Sequence, residues 1–350
     1  MVRRRDQFIG CLLGGAIGDA LGFTTENLTY DRIRQRLGRV EDYVVKPGWG
    51  YYTDDTQMTI LLAETILEAG GFDERVFRRK LGRWWVVWPR LSGRSTKNAA
   101  LKSLLGMKET GRHVPGSSGA MRAAPLGLWY YDDLEALFRE TVACCRVTHT
   151  HPSAIAGALV ATFSVAYLLR AEKINWADYI AFVGEPVGRV DAEMVMALQA
   201  LPAYFEADEQ EAVGHLLANS RVMGSPILDI VRTAVYAFWH IAHIDTRAER
   251  EDGYRNSVLF AVNAGWDTDT MAAIGGNIAG AWYGRAGLPE KWVAELENGY
   301  KGRDYLVLLA ESLYAREDLR PKVAGWRDYL ADYRHHLGFL YALFRYKPWA

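Results

Sequence analysis

Apolar residues recur three and four positions apart along nearly the whole chain. That spacing puts them on one face of a 3.6-residue period and predicts amphipathic helices over residues 56–69, 73–88, 132–149, 191–201, 208–220, 227–242 and 254–265. The stretch 154–169, AIAGALVATFSVAYLL, is apolar all round. It is too short and too rich in Ala, Gly, Ser and Thr for a membrane span, so a buried core helix is predicted there. Helix-stopping residues fall where the periodic segments end: Gly70 and Gly71, Pro89, and Gly265. Strand-like alternation is scarce, and no linker, low-complexity tract or repeat divides the 350 residues. The expected fold is all-α, in one large domain over residues 1–350.

Two helical segments carry glycine along a single face. Gly10, Gly14, Gly18 and Gly22 recur every four residues, as do Gly276, Gly280 and Gly284, with Ala272 extending the second row. Residues at i and i+4 share a helix face. Each interior glycine costs about 1 kcal/mol relative to alanine, so a row of them needs a compensating reason. Close approach of two backbones supplies one. The two helices are expected to form part of a central pair, packed against each other.

Composition narrows the class. Half of the residues are hydrophobic (50%), 24% are charged, and 41 Lys plus Arg against 42 Asp plus Glu leave a net charge of −1. That balance has no nucleic-acid footprint and no membrane-surface patch. Arg3, Arg4 and Arg5 read as a solvated tail. Cys11, Cys144 and Cys145 are odd in number, two of them adjacent, which is no disulfide framework and points to a reduced, cytoplasmic setting. The opening RRRDQFIGCLLGGAIGDALG has the outline of a signal peptide, but Asp6, the interrupting glycines and Asp19 read against one.

Two short stretches hold the chemistry. YTDDTQMT (52–59) and WDTDTMAA (266–273) each set aspartates among threonines just before an apolar helical run. Either could be a helix cap, with Asp54 or Asp55 serving the first helix and Asp269 the second. Together they offer another possibility. Four carboxylates converging on one cleft would force some to protonate, and a pair of divalent cations removes that conflict. Oxygen-only ligation selects Mg²⁺, Mn²⁺ or Ca²⁺ over zinc, and two such ions can orient a substrate and activate a water.

GAIGDALGFTTE, YTDDTQMT, GSSGAMRAAPLG, VTHTHPSAIAGA and NAGWDTDTMAAIGGNIAGAWYG occur in this order. In sequence and spacing they resemble the ADP-ribosylglycohydrolase family, of the dinitrogenase-reductase-activating glycohydrolase type. The resemblance implies a single orthogonal helical domain, with a motif-bearing core at about 8–285 and a C-terminal helical extension at 286–350. It implies two divalent cations, Mg²⁺ or Mn²⁺, held by Thr53, Asp54 and Asp55 on one side and by Asp267, Asp269 and Thr270 on the other. Glu26, Asp55 and Asp269 would form the catalytic set, with Glu26 as the acid/base or stabilising carboxylate. Gly116, Ser117, Ser118 and Gly119 would wrap the diphosphate and distal ribose, and His149 would lie near bound ADP-ribose. The implied reaction is hydrolysis at ribose C1″ through an oxocarbenium-like transition state, on an ADP-ribosylated protein or a small ADP-ribosyl compound. Two departures stand out. Gly116-Ser117-Ser118 replaces the family's Gly-Asn-Gly, and Trp266 occupies the second glycine of GGDTDT, which would put a large ring against the metal site.

Other signals weigh less. Cys144, Cys145, His149 and His151 fit no standard zinc spacing. His240 and His243 read as core or edge histidines. The glycines of LLGGAIGDALG follow no strand and form no nucleotide loop. Trp49, Tyr51 and Tyr52 adjoin the first cluster, and one of them could stack on adenine. The aromatic C-terminal run YRHHLGFLYALFRYKPWA is expected to pack on the body or on a partner subunit. Competing functions are hydrolysis of another N- or O-ribosyl compound, such as a nucleoside or nucleotide, and a non-catalytic ADP-ribose binder. Acceptor, metal preference and oligomeric state are not legible.

Overall fold

The computed structural model describes residues 2–44, 49–86, 89–220, 226–243, 250–317, 333–334, 336–341 and 344. Among them the chain is helical. Its extended pairings are three isolated bridges, Thr29 with Gly265, Gly50 with Leu296 and Arg112 with His149. The helices are α1 (Val2–Gly22), α2 (Tyr30–Leu37), α3 (Asp54–Ala69), α4 (Glu74–Val86), α5 (Arg94–Leu104), α6 (Ser118–Met121), α7 (Ala124–Trp129), α8 (Leu134–Arg146) and α9 (Pro152–Arg170). They continue with α10 (Trp176–Gly188), α11 (Ala192–Gln199), α12 (Glu209–Leu216), α13 (Ile227–Ala242), α14 (Arg250–Ala264), α15 (Thr268–Tyr283), α16 (Glu290–Glu295) and α17 (Arg303–Ala315).

Local chemistry sets their ends. Asp133, Asn175, Asp191 and Asp208 stand just outside α8, α10, α11 and α12, and each accepts a hydrogen bond from a first-turn N–H. The predicted helices therefore begin one or two residues inside the periodic segments. α3 stops at Gly70, whose φ of 70° is the left-handed conformation that glycine adopts freely. The helix predicted over 73–88 is α4, and residues 87 and 88 lie outside the described residues. α9 is long and apolar enough to cross a membrane, but 89% of its most apolar window is buried against neighbouring helices. One contiguous apolar core runs from Phe8 to Leu313.

At its centre α1 and α15 lie against each other. A Cβ on Gly10 would sit 2.5 Å from the Gly280 carbonyl oxygen, one on Gly14 2.5 Å from that of Gly276, and one on Gly22 2.5 Å from that of Thr268. Gly18 abuts the Ala272 carbonyl in the same way. Each step of four along α1 is matched by a step of four back along α15, so the pair is antiparallel. Glycine's cost in the helices is met by backbone contact along the whole seam. The register has one further consequence. It sets the C-terminal end of α1 beside the first turn of α15, and both clusters of site residues gather at that end.

Candidate metal centre and active site

Asp19, in the last turn of α1, organises the first acidic cluster. It is fully buried, and its carboxylate accepts from the backbone N–H of Thr53 (2.9 and 3.0 Å), the N–H of Thr56 (3.0 Å) and the Thr56 hydroxyl (2.6 Å). It thereby satisfies donors at the start of α3 that a local cap would otherwise serve. Burial pushes its carboxyl up to about 6, with the Thr56 and Thr53 hydrogen bonds holding it down in part. Thr53 is the N-cap of α3, its hydroxyl 3.3 Å from the Asp55 N–H. The reading of Asp54 or Asp55 as the cap is therefore corrected. A threonine takes the cap, and both aspartates are buried in the first turn.

The second cluster follows from the glycine seam. The Thr268 hydroxyl donates to the Gly22 carbonyl (2.8 Å), and the Thr25 hydroxyl reaches both Val262 O (2.8 Å) and Thr268 Oγ1 (3.0 Å). These bonds hold the turn after α1 against the start of α15. Carboxylate oxygens of Glu26, Asp267 and Asp269 then lie within 4.8 Å of one another. Asp267 stands at the N-cap position of α15 without making a side-chain cap bond. Asp269 Oδ1 receives the Thr270 N–H at 2.9 Å, and the helix begins at Thr268, before Asp269. Asp269 thus satisfies one first-turn N–H from inside the helix rather than from the N-cap position, where Asp267 makes no such bond.

The two clusters feel each other. Burial raises the Asp54 carboxyl well above the usual range, and Asp19, Glu26 and Asp267 push it further. Burial does the same to Asp55, helped by Asp19, Asp54 and Asp267 and opposed by a hydrogen bond with Thr270. Asp55 Oδ1 is buried and accepts no hydrogen bond. Among the described residues Asp19, Asp54, Asp55 and Asp267 have no Lys or Arg partner. A concentration of hard oxygen donors, one of them orphaned and none of these four neutralised by a basic side chain, fits a divalent cation. No comparable grouping of Cys and His forms among the described residues. Cys144 and Cys145 are buried in α8 with their thiols pushed up by burial.

The loop before α6 adjoins this cluster. Ser117 Oγ donates to Asp267 Oδ2 at 3.3 Å, and Ser118 Oγ receives the Thr96 hydroxyl at 2.8 Å. Gly116 lies against the His149 ring so closely that a Cβ would collide with Nε2, and Gly119 lies against Cys145 Sγ in the same way. The buried Arg122 ties the loop down, donating to the Ser118 and Cys144 carbonyls and to Thr148 Oγ1 (2.9 Å). That hydroxyl also meets His149 Nδ1 at 3.0 Å. Burial pushes the His149 imidazole down to about 3, with Arg122 and Arg112 adding to the effect. His149 should therefore stay neutral through the physiological range. Its ring resonances in a pH titration by NMR are expected to show no inflection between about pH 5 and about pH 8, and a midpoint near the ordinary value of about 6.5 would contradict this.

Trp266 departs from expectation in a specific way. Its φ of 67° is the left-handed conformation that glycine tolerates best, held by Trp266 N–H to Leu28 O (2.6 Å) and Asn27 N–H to Trp266 O (2.7 Å). The residue lines a cavity of about 250 Å³ with Tyr30, Asp31, Gln210, Val213 and Leu217. None of the carboxylates of the cluster lines it, so after the reversal at Gly265 Trp266 borders a cavity separate from the acidic cluster. Tyr51 and Tyr52 are buried, 2% and 4% exposed, and unsuited to stacking on adenine; Trp49 is 41% exposed. Sequence reasoning missed Asp19, Arg122, and the buried pair Arg90 and Glu297. The first two lie inside the motifs GAIGDALG and GSSGAMRAAPLG, where a single charged residue carries no clustering signal. Nothing in the sequence links the members of the third, 207 positions apart.

Fold and site together define a helical protein with a carboxylate cluster gathered at two helix starts. The chain matches the ADP-ribosylglycohydrolase family over residues 1–322. It belongs to that family, and it is a glycohydrolase. It is 33% identical over 316 residues to an uncharacterized protein of Archaeoglobus fulgidus, covering 88% of this chain and 96% of that one. It is 29% identical over 328 residues to the ADP-ribosylarginine hydrolase Tri1 of Serratia proteamaculans, covering 88% and 79%. A solved structure titled ADP-ribosylglycohydrolase-related protein complex superposes with a TM-score of 0.68 at 26% identity, covering 91% of this chain and all of that one.

Proposed function

We propose that the chain hydrolyses the glycosidic bond at ribose C1″ of ADP-ribosylated side chains or small ADP-ribosyl compounds. The observation that carries this is the convergence of Glu26, Asp267 and Asp269 within 4.8 Å, with Asp54 and Asp55 buried near enough to feel the charge of Asp267. Two Mg²⁺ or Mn²⁺ ions held by Thr53, Asp54, Asp55, Asp267, Asp269 and Thr270 would supply Lewis-acid polarisation of the ribose hydroxyls and a more acidic water. Glu26 is half-buried in the cluster, and its carboxylate takes the proton of the attacking water and returns one to the departing group. Asp19 takes no proton from substrate; it fixes Thr53 and Thr56, and with them the direction of Asp54 and Asp55. Backbone of Gly116 to Gly119 cradles the diphosphate, and a neutral His149 offers a hydrogen bond without drawing the anion off line.

The Serratia relative's name makes ADP-ribosyl-arginine the first substrate to test. The cavity lined by Trp266 favours a second reading, a different N- or O-ribosyl leaving group. Product analysis on ADP-ribosyl-arginine, ADP-ribosyl-serine, ADP-ribose-1″-phosphate and free nucleosides separates the two. Free ADP-ribose from the first three supports the proposal, whereas ribose from nucleosides alone sinks it.

The cluster also fixes how metal and proton compete. In the folded, metal-free chain Asp19, Asp54 and Asp55 keep their protons to higher pH than in the unfolded chain. The native state then binds more protons, so stability falls as pH rises from the ordinary carboxylate value through the folded one, about 6 for Asp19. Cations that replace those protons reverse the loss. Saturating MnCl₂ should raise Tm more at about pH 7.5 than at about pH 5, and an equal or opposite difference would contradict cation binding at this cluster.

A further inference from the structure

The family match ends at residue 322, yet a side chain beyond it is built into the site's foundations. Phe339 is 1% exposed. Its ring lies 5.5 Å from that of Phe23 and shares a small buried apolar cluster with Phe23 and Tyr51. Phe23 stands three residues before Glu26 and Tyr51 two residues before Thr53, so one ring touches the segments that deliver both halves of the acidic site. At Gly338 the approach to the Tyr51 hydroxyl leaves no room for a Cβ.

Arg90 extends the same support. Its guanidinium is 5.1 Å from the Phe339 ring and 5.0 Å from the Tyr52 ring, lying over both. It is paired with Glu297, both side chains 3% exposed, and it donates to the Tyr52 carbonyl at 3.0 Å. Glu297 Oε1 in turn accepts the Tyr52 N–H at 3.1 Å. Both backbone polar groups of Tyr52 are thus spoken for, and the next N–H, that of Thr53, is held by Asp19. Two residues before Tyr52, Gly50 exchanges backbone bonds with Glu295 (2.8 Å) and Glu297 (2.9 Å). A segment held by its backbone at Gly50, Tyr52 and Thr53 and by the packed ring of Tyr51 serves to aim the residues that follow it.

We infer that the turn of helix at residues 336–341 is a prop for the metal-binding loop, and that Phe339 and Arg90 are positioning residues for Thr53, Asp54 and Asp55. The inference rests on the reading that this loop binds divalent cations, and it adds that residues 336–341 set their affinity. Removing the ring loosens Tyr51 and Phe23 together and lets the two carboxylate groups drift apart without touching either.

The test uses the full-length protein. Calorimetric titration with MnCl₂ is expected to give Phe339→Ala an affinity about 10-fold weaker than wild type, the scale of losing an outer-shell support. Phe339→Leu should recover most of it. A Phe339→Ala protein that folds and binds Mn²⁺ like wild type overturns the inference while leaving the proposed function intact. A wild type that binds no Mn²⁺ overturns both. Should Phe339→Ala fail to fold, hydrogen exchange on wild type decides, because coupling between sites is reciprocal. Mn²⁺ is expected to slow exchange in a peptide covering residues 336–341, and not in Asp55→Asn. Unchanged exchange there with bound Mn²⁺ overturns the inference.

Discussion

Asp55→Asn is expected to lose at least about 100-fold in Mn²⁺ affinity, the upper end of what losing an outer-shell partner costs, and to lose turnover with it. The substitution keeps the side chain's size and removes one charge. Oδ1 of Asp55 is buried with no hydrogen bond, and burial together with Asp19, Asp54 and Asp267 already disfavours its ionised form. A residue kept for stability would not be left so. In metal-free buffer the variant should therefore melt at the wild-type temperature or above it, because part of a like-charge conflict is gone. The combination matters more than either half. Lost binding with a lower metal-free Tm would make Asp55 a structural residue, and retained turnover would remove it from the site. Calorimetry and thermal melting on one preparation give both.

Gly18→Leu is expected to abolish folding, or to cost more than about 4 kcal/mol of a total near 5–15 kcal/mol. Gly18→Ala is the sharper comparison. Helix propensity alone would stabilise it by about 1 kcal/mol, but overpacking against atoms that cannot move costs about 1–3 kcal/mol. The atom it meets is the Ala272 backbone carbonyl, not the end of a flexible side chain, so the clash wins. Separation of α1 from α15 also pulls Gly22 from Thr268, and with them Glu26 from Asp269. A Gly18→Ala protein that remains folded should bind Mn²⁺ more weakly. Urea melts and metal titration check the two effects, and a Gly18→Leu protein of unchanged stability would refute the seam.

The seam was legible before the structure because glycine at every fourth helical position has few other uses. The acidic clusters were legible because like charges crowded beside threonines carry a physical cost that needs an explanation. Helix interiors were legible too, their ends less so, since caps such as Asp133 and Asp208 displace a boundary by a residue or two. What escaped were residues acting alone or at long range. Asp19 is a single aspartate in a glycine-rich helix, and only the fold reveals that it reaches Thr53 and Thr56 on α3 and its cap. Arg90 finds Glu297, and Phe339 finds Phe23, through tertiary contacts that no local period encodes. The place of Trp266 escaped for a related reason. A side chain's direction at a left-handed backbone position depends on the turn's pairing with Asn27 and Leu28, not on the residues beside it in sequence.

The most direct measurement is release of free ADP-ribose from ADP-ribosyl-arginine by the wild-type protein, before and after chelation by EDTA and again after adding Mg²⁺ or Mn²⁺. The expected result is turnover that vanishes with the chelator and returns with either cation, while the chelated protein keeps its helical circular dichroism. Turnover indifferent to chelation would contradict a cation site at the carboxylate cluster. No ADP-ribose from this or any other ADP-ribosyl conjugate, under any metal, would contradict the reaction itself.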